Sequence, residues 1–326
     1  NFLPNVGVIG LYIKLFFTIF LNLKKLSRPD SVLAIREYDA FCLFLNPFLK
    51  KAQKVFFSRG DVISILRINL PDQKNKPRYL IDLLTIFILP IIQKSILKRT
   101  DQIIFQADFL YDIFKERHKK IEIKKVVIRN DCQPTLSQNL NFHKFELLND
   151  NVLNLGFISP MFWSCKGLEI IVKMVEILDN KKFKYKLHIG GDGPHLNKLI
   201  TMLSKLTDLQ NFKSYGWVNN VENLFKEIDL LIVPSLYDSN PNIILEALSS
   251  HKPLLASNIK AHKEMLVHEQ LLFKNKDINN LVHKIEIFQK SKKYRQDLNK
   301  KLASRRNLLN FDWDKEIIKI MNFKYY

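Results

Sequence analysis

Only three of the 326 residues are cysteine, and they lie far apart at Cys42, Cys132 and Cys165. That spacing excludes both a disulfide framework and the paired CxxC arrangement of a structural zinc site, and it favours a reducing, cytoplasmic setting. Glycine is also scarce, at nine residues, which excludes collagen-like or glycine-rich repeats. Acidic residues number 32 against 51 lysines and arginines, a formal charge of +19. An excess of that size attracts polyanions: nucleic acid, acidic headgroups or nucleotide phosphates. No basic run is interleaved with aromatics and no nucleic-acid motif stands out, so nucleic acid is not an expected partner.

What is present is enough apolar material for two ordinary cores, since 47% of the chain is hydrophobic. The most apolar stretch, residues 6–23, carries Lys14 midway. It reads first as a buried or half-buried helix and second as a membrane-surface segment, with a true span the weakest of the three readings. Strands are expected at 31–36, 54–58, 102–106 and 126–129, with helices at 41–52, 80–98 and 107–118. Pro90 should kink or break the second of these helices. A polar, aperiodic stretch over 131–150 reads as a linker between domains. Beyond it, strands are expected at 152–157 and 185–189. Helices follow at 167–178, where apolar positions recur with a 3.6-residue period, at 221–228 and across 277–308.

The chain is organised around residues 228–257. The apolar run 230–233 ends at Pro234, a polar loop follows, and Pro241 suits the first turn of a helix because its missing N–H would have no partner there. A loop that feeds a helix N-terminus beyond the carboxyl end of a strand is where an open α/β sheet takes anionic ligands. A second such place is Gly190-Gly191-Asp192-Gly193-Pro194, where glycines permit positive φ and close backbone approach, and Pro194 starts the next helix.

Asp238 through Ala247 resembles the acid-x7-Glu motif of the retaining family 4 (group 1) glycosyltransferases. Lys166-Gly167, Gly190 to Pro194, and Lys252-Pro253 followed by Glu264 are similar to further signatures of that family, in the same order. The resemblance is specific over about residues 152–270. It implies an α/β chain of GT-B type, two Rossmann-like domains whose parallel sheets face each other across a cleft. The first strand and glycine-rich turn of that fold are not seen, so an N-terminal strand and helix unit is expected to precede Asn1. The expected boundaries are 1–135 for an acceptor-side domain, 136–308 for the nucleotide-sugar domain and 309–326 for a helix returning to the first.

The resemblance also implies roles. Lys166 would meet the donor diphosphate, helped by amides of Asn240, Pro241, Asn242 and Ile243, of which Pro241 itself has no N–H to offer. Gly191 and Gly193 would border the nucleotide. Glu246 would accept hydrogen bonds from ribose hydroxyls, and Asp238 would hold the transferred sugar. Arg59 stands where the family often has a histidine, and would contact phosphate or an acidic acceptor. No metal or cofactor is expected, the co-substrate being a UDP or GDP sugar. The acceptor would be a glycan or a lipid-linked glycan, and peripheral contact with an anionic membrane, at the inner face of the cell membrane, is a further expectation. Asp312-Trp313-Asp314 is formally the Asp-x-Asp of metal-dependent transferases, but it lies at the wrong end of the chain. His262 and His268 are off any helical face repeat and form no zinc motif.

Three departures from the pattern stand beside these expectations. Phe157 follows Gly156 where the family has a second phosphate cation, Asp238 is shorter than the usual glutamate, and His251 occupies a turn where positive φ is costly. They keep open two alternatives: a catalytically degenerate GT-B protein that binds a nucleotide or a partner, and a nucleotide-sugar epimerase.

Overall fold

The computed structural model describes residues 29–74, 78–132, 146–149 and 151–321. The apolar stretch 6–23 and most of the expected linker lie outside the described residues. The chain divides into two compact units, Asn1–Arg129 with Trp313–Tyr326, and Asn130–Asp312.

In the first unit β1 (Ser31–Ala34), α1 (Glu37–Phe44), β2 (Gln53–Ser58), α2 (Val62–Asn69), α3 (Arg78–Leu97), β3 (Gln102–Phe105) and α4 (Asp108–Arg117) follow one another. The strands pair in the order β1-β2-β3, all parallel, with Ser31 opposite Gln53 and Val55 opposite Gln102. Every residue of β2 is buried, as expected for a strand covered on both faces. The helix expected over 41–52 stops at Phe44, because Pro47 cannot continue it and Asn46 instead caps a 3-10 turn, Pro47–Leu49. Pro90, by contrast, does not end α3, which runs unbroken to Leu97. Ile86 and Leu89 before the proline and Ile96 after it are all buried, so packing on both sides of Pro90 offsets the one hydrogen bond it removes. The strand expected at 126–129 is reduced to a single bridge between Phe105 and Val127.

The second unit runs β4 (Leu153–Ile158), α5 (Trp163–Lys166), α6 (Leu168–Asn180), β5 (Tyr185–Gly190), α7 (Leu196–Leu203), β6 (Phe212–Ser214), α8 (Val221–Lys226), β7 (Leu230–Val233), α9 (Asn242–Ser249), β8 (Leu254–Ser257), α10 (Lys260–Leu266), β9 (Leu272–Phe273), α11 (Ile278–Lys290) and α12 (Lys292–Leu309). A last helix, α13 (Trp313–Met321), groups with the first unit, where the Trp313 ring lies 5.8 Å from Phe57. The six strands are parallel in the order β6-β5-β4-β7-β8-β9. Chain order therefore reverses between β4 and β7: β5 and β6 build outward on one side, and β7 to β9 on the other. At such a reversal the connections leaving the two adjacent strands diverge to opposite faces, which opens a crevice beyond their carboxyl ends.

A backbone clamp holds the two loops at that crevice together. Gly167 adopts φ +69°, and a Cβ built there would stand 2.0 Å from the Pro234 carbonyl oxygen. Leu236 N–H donates to the Cys165 carbonyl at 2.9 Å, and Tyr237 N–H to the same oxygen at 3.2 Å. The end of α5 is thus fixed against the start of the loop after β7. At the opposite end of the sheet, Asp229 accepts from the backbone N–H groups of Leu148 and Asn154 at 2.7 and 2.8 Å, which ties the entry of β4 to that of β7. Lys252 is buried there too, donating from Nζ to the Ile228 carbonyl at 2.6 Å. His251 before it does take the costly conformation, at φ +53°.

Two outcomes follow from this packing. Gly167→Ala meets both a forbidden φ and a backbone oxygen, so it should lower unfolding stability by about 2 kcal/mol or more in a denaturant titration. Burial pushes the Lys252 pKa down to about 8. The unfolded lysine, near 10.4, holds its proton longer, so between these values the unfolded state binds more protons and stability rises with pH. Measured against Lys252→Met, the wild-type protein should gain about 3 kcal/mol across that window.

Candidate active site

Lys166, the last residue of α5, and Asp238, in the loop after β7, come from the two strands that flank the reversal. Their side chains meet in an ion pair at 2.5 Å, with 20% and 15% of the side-chain surface exposed. The clamp at Gly167 and Pro234 is what brings these residues, 72 apart in sequence, to the same point. Asp238 also accepts from the N–H of Ser239 through Oδ1 at 2.9 Å. The pair is half-buried, so it is screened less than a surface pair while staying within reach of a ligand.

Two buried polar atoms, one two residues from Asp238 and one in its field, have no hydrogen-bond partner among the described residues. Asn240 Nδ2, a donor, is the first. His262, in the first turn of α10, is fully buried, and its Nδ1 stands 2.8 Å from the Ser257 carbonyl and 3.2 Å from Ser257 Oγ, which itself donates to the Ser235 carbonyl at 2.5 Å. A carbonyl only accepts, so the network assigns the proton to Nδ1 and leaves Nε2 as an unpartnered acceptor. Burial lowers the imidazole pKa to about 4; the charge of Asp238 opposes that shift and the charge of Lys166 adds to it, which places His262 in the field of both. The ring is neutral at neutral pH.

Helix α9 begins at Asn242 with Pro241 as its N-cap, one residue later than the sequence pattern suggests. The Ile244 N–H donates to the Pro241 carbonyl at 3.0 Å, while the amides of Asn242 and Ile243 ahead of it have no intrahelical carbonyl to reach. Asn130 Nδ2 donates to Asn242 Oδ1 at 2.8 Å, so the first residue of the second unit is tied to this helix tip. Ile243 packs partly buried against the core. Glu246, one turn on, is exposed and makes no hydrogen bond or ion pair among the described residues. Desolvation by the surrounding protein raises its pKa.

The glycines of the turn after β5 take the expected positive φ, +120° at Gly191 and +150° at Gly193. A Cβ on Gly191 would meet the Ser159 carbonyl oxygen at 2.0 Å, and one on Gly193 would meet the Met161 nitrogen at 2.9 Å. Met161 N–H donates to the Asp192 carbonyl at 2.9 Å, and His195 N–H returns a bond to the Met161 carbonyl at 3.2 Å. These glycines brace the turn against the loop after β4, and the helix expected at Pro194 starts only at Leu196. Phe157 is fully buried inside β4, which continues through Ile158. Arg59 lies in the first unit, exposed just beyond β2, and is not one of the residues that the second unit brings together. The residue that sequence reasoning missed is His262; the signal available was its place in the first turn after a buried strand, near the end that already carried the candidate residues.

Comparison with known proteins gives this geometry its context. Protein CapJ of Staphylococcus aureus is 32% identical over 180 residues, 53% of this chain and 45% of that protein. The UDP-Gal:alpha-D-GlcNAc-diphosphoundecaprenol alpha-1,3-galactosyltransferase of Escherichia coli is 32% identical over 100 residues, 29% of this chain and 25% of that one. The chain spans about half or less of the length of these two relatives. Among solved structures, Staphylococcus aureus TarM superposes with a TM-score of 0.70 at 16% identity, covering 95% of this chain and 58% of that chain, which shows a common fold with two parallel α/β sheets. A model described as glycosyl transferases group 1 matches residues 141–305. That match covers more than half of the chain and takes in every loop at the carboxyl edge of the second sheet, so this chain belongs to the group 1 glycosyl transferases.

Proposed function

We propose that the chain moves a sugar from a nucleotide-diphosphate sugar, UDP or GDP, to a glycan or lipid-linked acceptor with retention of configuration. The observation that carries this reading is the Lys166–Asp238 pair, set at the sheet's reversal beside the first turn of α9. Transfer needs the departing diphosphate neutralised as the bond to the anomeric carbon breaks, and it needs an anion to hold the sugar that is left. In the free protein these two groups neutralise each other. Donor binding exchanges their partners: Lys166 turns to the diphosphate, joined by amides of α9, and Asp238 turns to hydroxyls of the transferred sugar. Glu246 is free to accept from ribose hydroxyls, a task that suits an ionised carboxylate. Asn240 Nδ2 and His262 Nε2 supply a donor and an acceptor that the protein leaves unsatisfied. Such atoms are costly to bury without a ligand or an ordered water. Gly191 and Gly193 would border the nucleotide through the turn they brace, and Arg59 would serve the acceptor side.

The Escherichia coli relative named above, a galactosyltransferase with a UDP-linked donor and a diphosphoundecaprenol-linked acceptor, supports the same substrate classes here. Cys42, Cys132 and Cys165 are buried and none is in a disulfide, and a cytoplasmic setting at the inner face of the membrane is part of the proposal. The second reading, a binding protein without turnover, is favoured by one observation: Phe157 fills the core where a second phosphate cation is expected.

Glycosyl transfer from a panel of UDP and GDP sugars separates the two readings. Lys166→Ala should lower kcat/KM about 100- to 1000-fold, as loss of one charge-stabilising group does elsewhere. Glu246→Ala should weaken UDP or GDP about 10-fold or more by isothermal titration, with little change in melting temperature, because the side chain is exposed and unpartnered. Nucleotide binding with no turnover across the panel would establish the binding protein instead.

A further inference from the structure

Helix α3 is apolar on both of its sides. Ile86, Leu89 and Ile96 on its inner side are buried, and the helix packs against α1 and α2. On the other side Leu80, Leu84, Phe87, Ile88 and Ile91 are each between 48% and 69% exposed. Their spacing of four, three, one and three residues sets them on one stripe, roughly 16 Å long at the helical rise. Two further steps, of three and four residues, carry the same line to Lys94 and Lys98, both exposed. The helix has a single carboxylate, Asp82, which is buried and paired with Arg78, so no acid stands on the outer face. A soluble helix ordinarily turns charged and polar residues outward; one that is apolar all round is covered on both sides.

We propose that this stripe, with Lys94 and Lys98 at its end, docks the chain flat on an anionic lipid bilayer. The charges choose the occupant. A second copy of a chain carrying +19 repels the first, and stripe-to-stripe contact would offer neither lysine a counter-charge. An anionic bilayer supplies both terms: the apolar side chains enter the boundary between headgroups and acyl chains, and the lysines remain among the headgroups. The helix is long and apolar enough to cross a membrane by length and composition. Buried Gln93 on its inner side donates to Glu37 Oε1 at 3.3 Å and accepts from Arg117 at 3.1 Å, which binds the helix to the rest of the unit, so it lies along the surface. The docking is independent of whether sugar transfer takes place.

The test is co-sedimentation of the full chain with vesicles of phosphatidylcholine alone and with a phosphatidylglycerol fraction, at low and high salt. Binding should require the anionic lipid and weaken with salt. Phe87→Glu with Ile91→Glu should reduce it at least 10-fold. Lys94→Ala with Lys98→Ala should cost about five-fold per lysine and flatten the salt dependence. Melting temperatures should stay within a few degrees of wild type for both variants, since all four residues are exposed. No binding, or undiminished binding by the Phe87/Ile91 variant, overturns the proposal; so does loss of binding on substituting residues 6–23 while the α3 variants bind normally. A lipid-free dimer that the Phe87/Ile91 variant dissociates would overturn it in favour of a second copy.

Discussion

The contact between Gly167 and the Pro234 carbonyl decides where everything else in the second unit can be. A residue with a side chain at 167 could not let the end of α5 approach so closely, and without that approach Lys166 and Asp238 would sit on separate loops. The ion pair is thus a consequence of backbone packing at a topological reversal; the attraction of two charges only completes it. An ion pair at 15% to 20% side-chain exposure is modest in net stability, because desolvation offsets much of its Coulomb energy. That modest value suits the partner exchange proposed for donor binding: a diphosphate that displaced Asp238 from Lys166 would bring its own charge, so the cation would not be left bare.

The polar groups around the pair divide by what they are bonded to. Ser257 Oγ, the Ser235 carbonyl and His262 Nδ1 form a closed set that fixes the loop carrying Asp238. His262 Nε2 and Asn240 Nδ2 are outside any such set. Native proteins rarely leave buried polar atoms unpaired; Asn46 Nδ2, Ser250 Oγ, Asn275 Oδ1 and Trp313 Nε1 share that condition elsewhere among the described residues, so it is nearness to the ion pair that marks His262 and Asn240. Gly191 and Gly193 let the turn after β5 lie against the loop after β4. Ligand approach and loop bracing demand the same absence of a side chain, and the two duties are compatible.

The second sheet and its ligand-facing edge were legible in the sequence to within a residue or two at β4, β5 and β7, because short apolar runs there stop at proline or glycine. Lys166, Asp238 and Glu246 came from the resemblance to the group 1 pattern; the fold pairs Lys166 with Asp238 and leaves Glu246 exposed one turn into α9. Pro90 misled, since the preference of proline to end helices was outweighed by packing on both sides of it, which no local pattern records. The fourth expected strand of the first unit shrank to one bridge for a similar reason: extended residues become a strand only where a neighbour is in register. His262 was invisible because its environment is assembled from Ser257, Asp238 and Lys166, which meet only after β4, β7 and β8 lie side by side.

Phe157 shows how such a fold adjusts its own chemistry. Here β4 pairs with β5 as far as Ile158 opposite Gly190, so residue 157 is one step inside the sheet and its side chain enters the core. An arginine at that depth would bury its charge among Leu155, Ile189 and their neighbours at a cost of several kcal/mol. The apolar residue is therefore what this length of strand requires. On the proposed reading, neutralising a diphosphate at this edge would fall to Lys166 and the first turn of α9, where amide dipoles contribute without a side chain. A site with one cation instead of two loses more when that cation is removed, and it depends more heavily on the backbone clamp that holds the lysine in place.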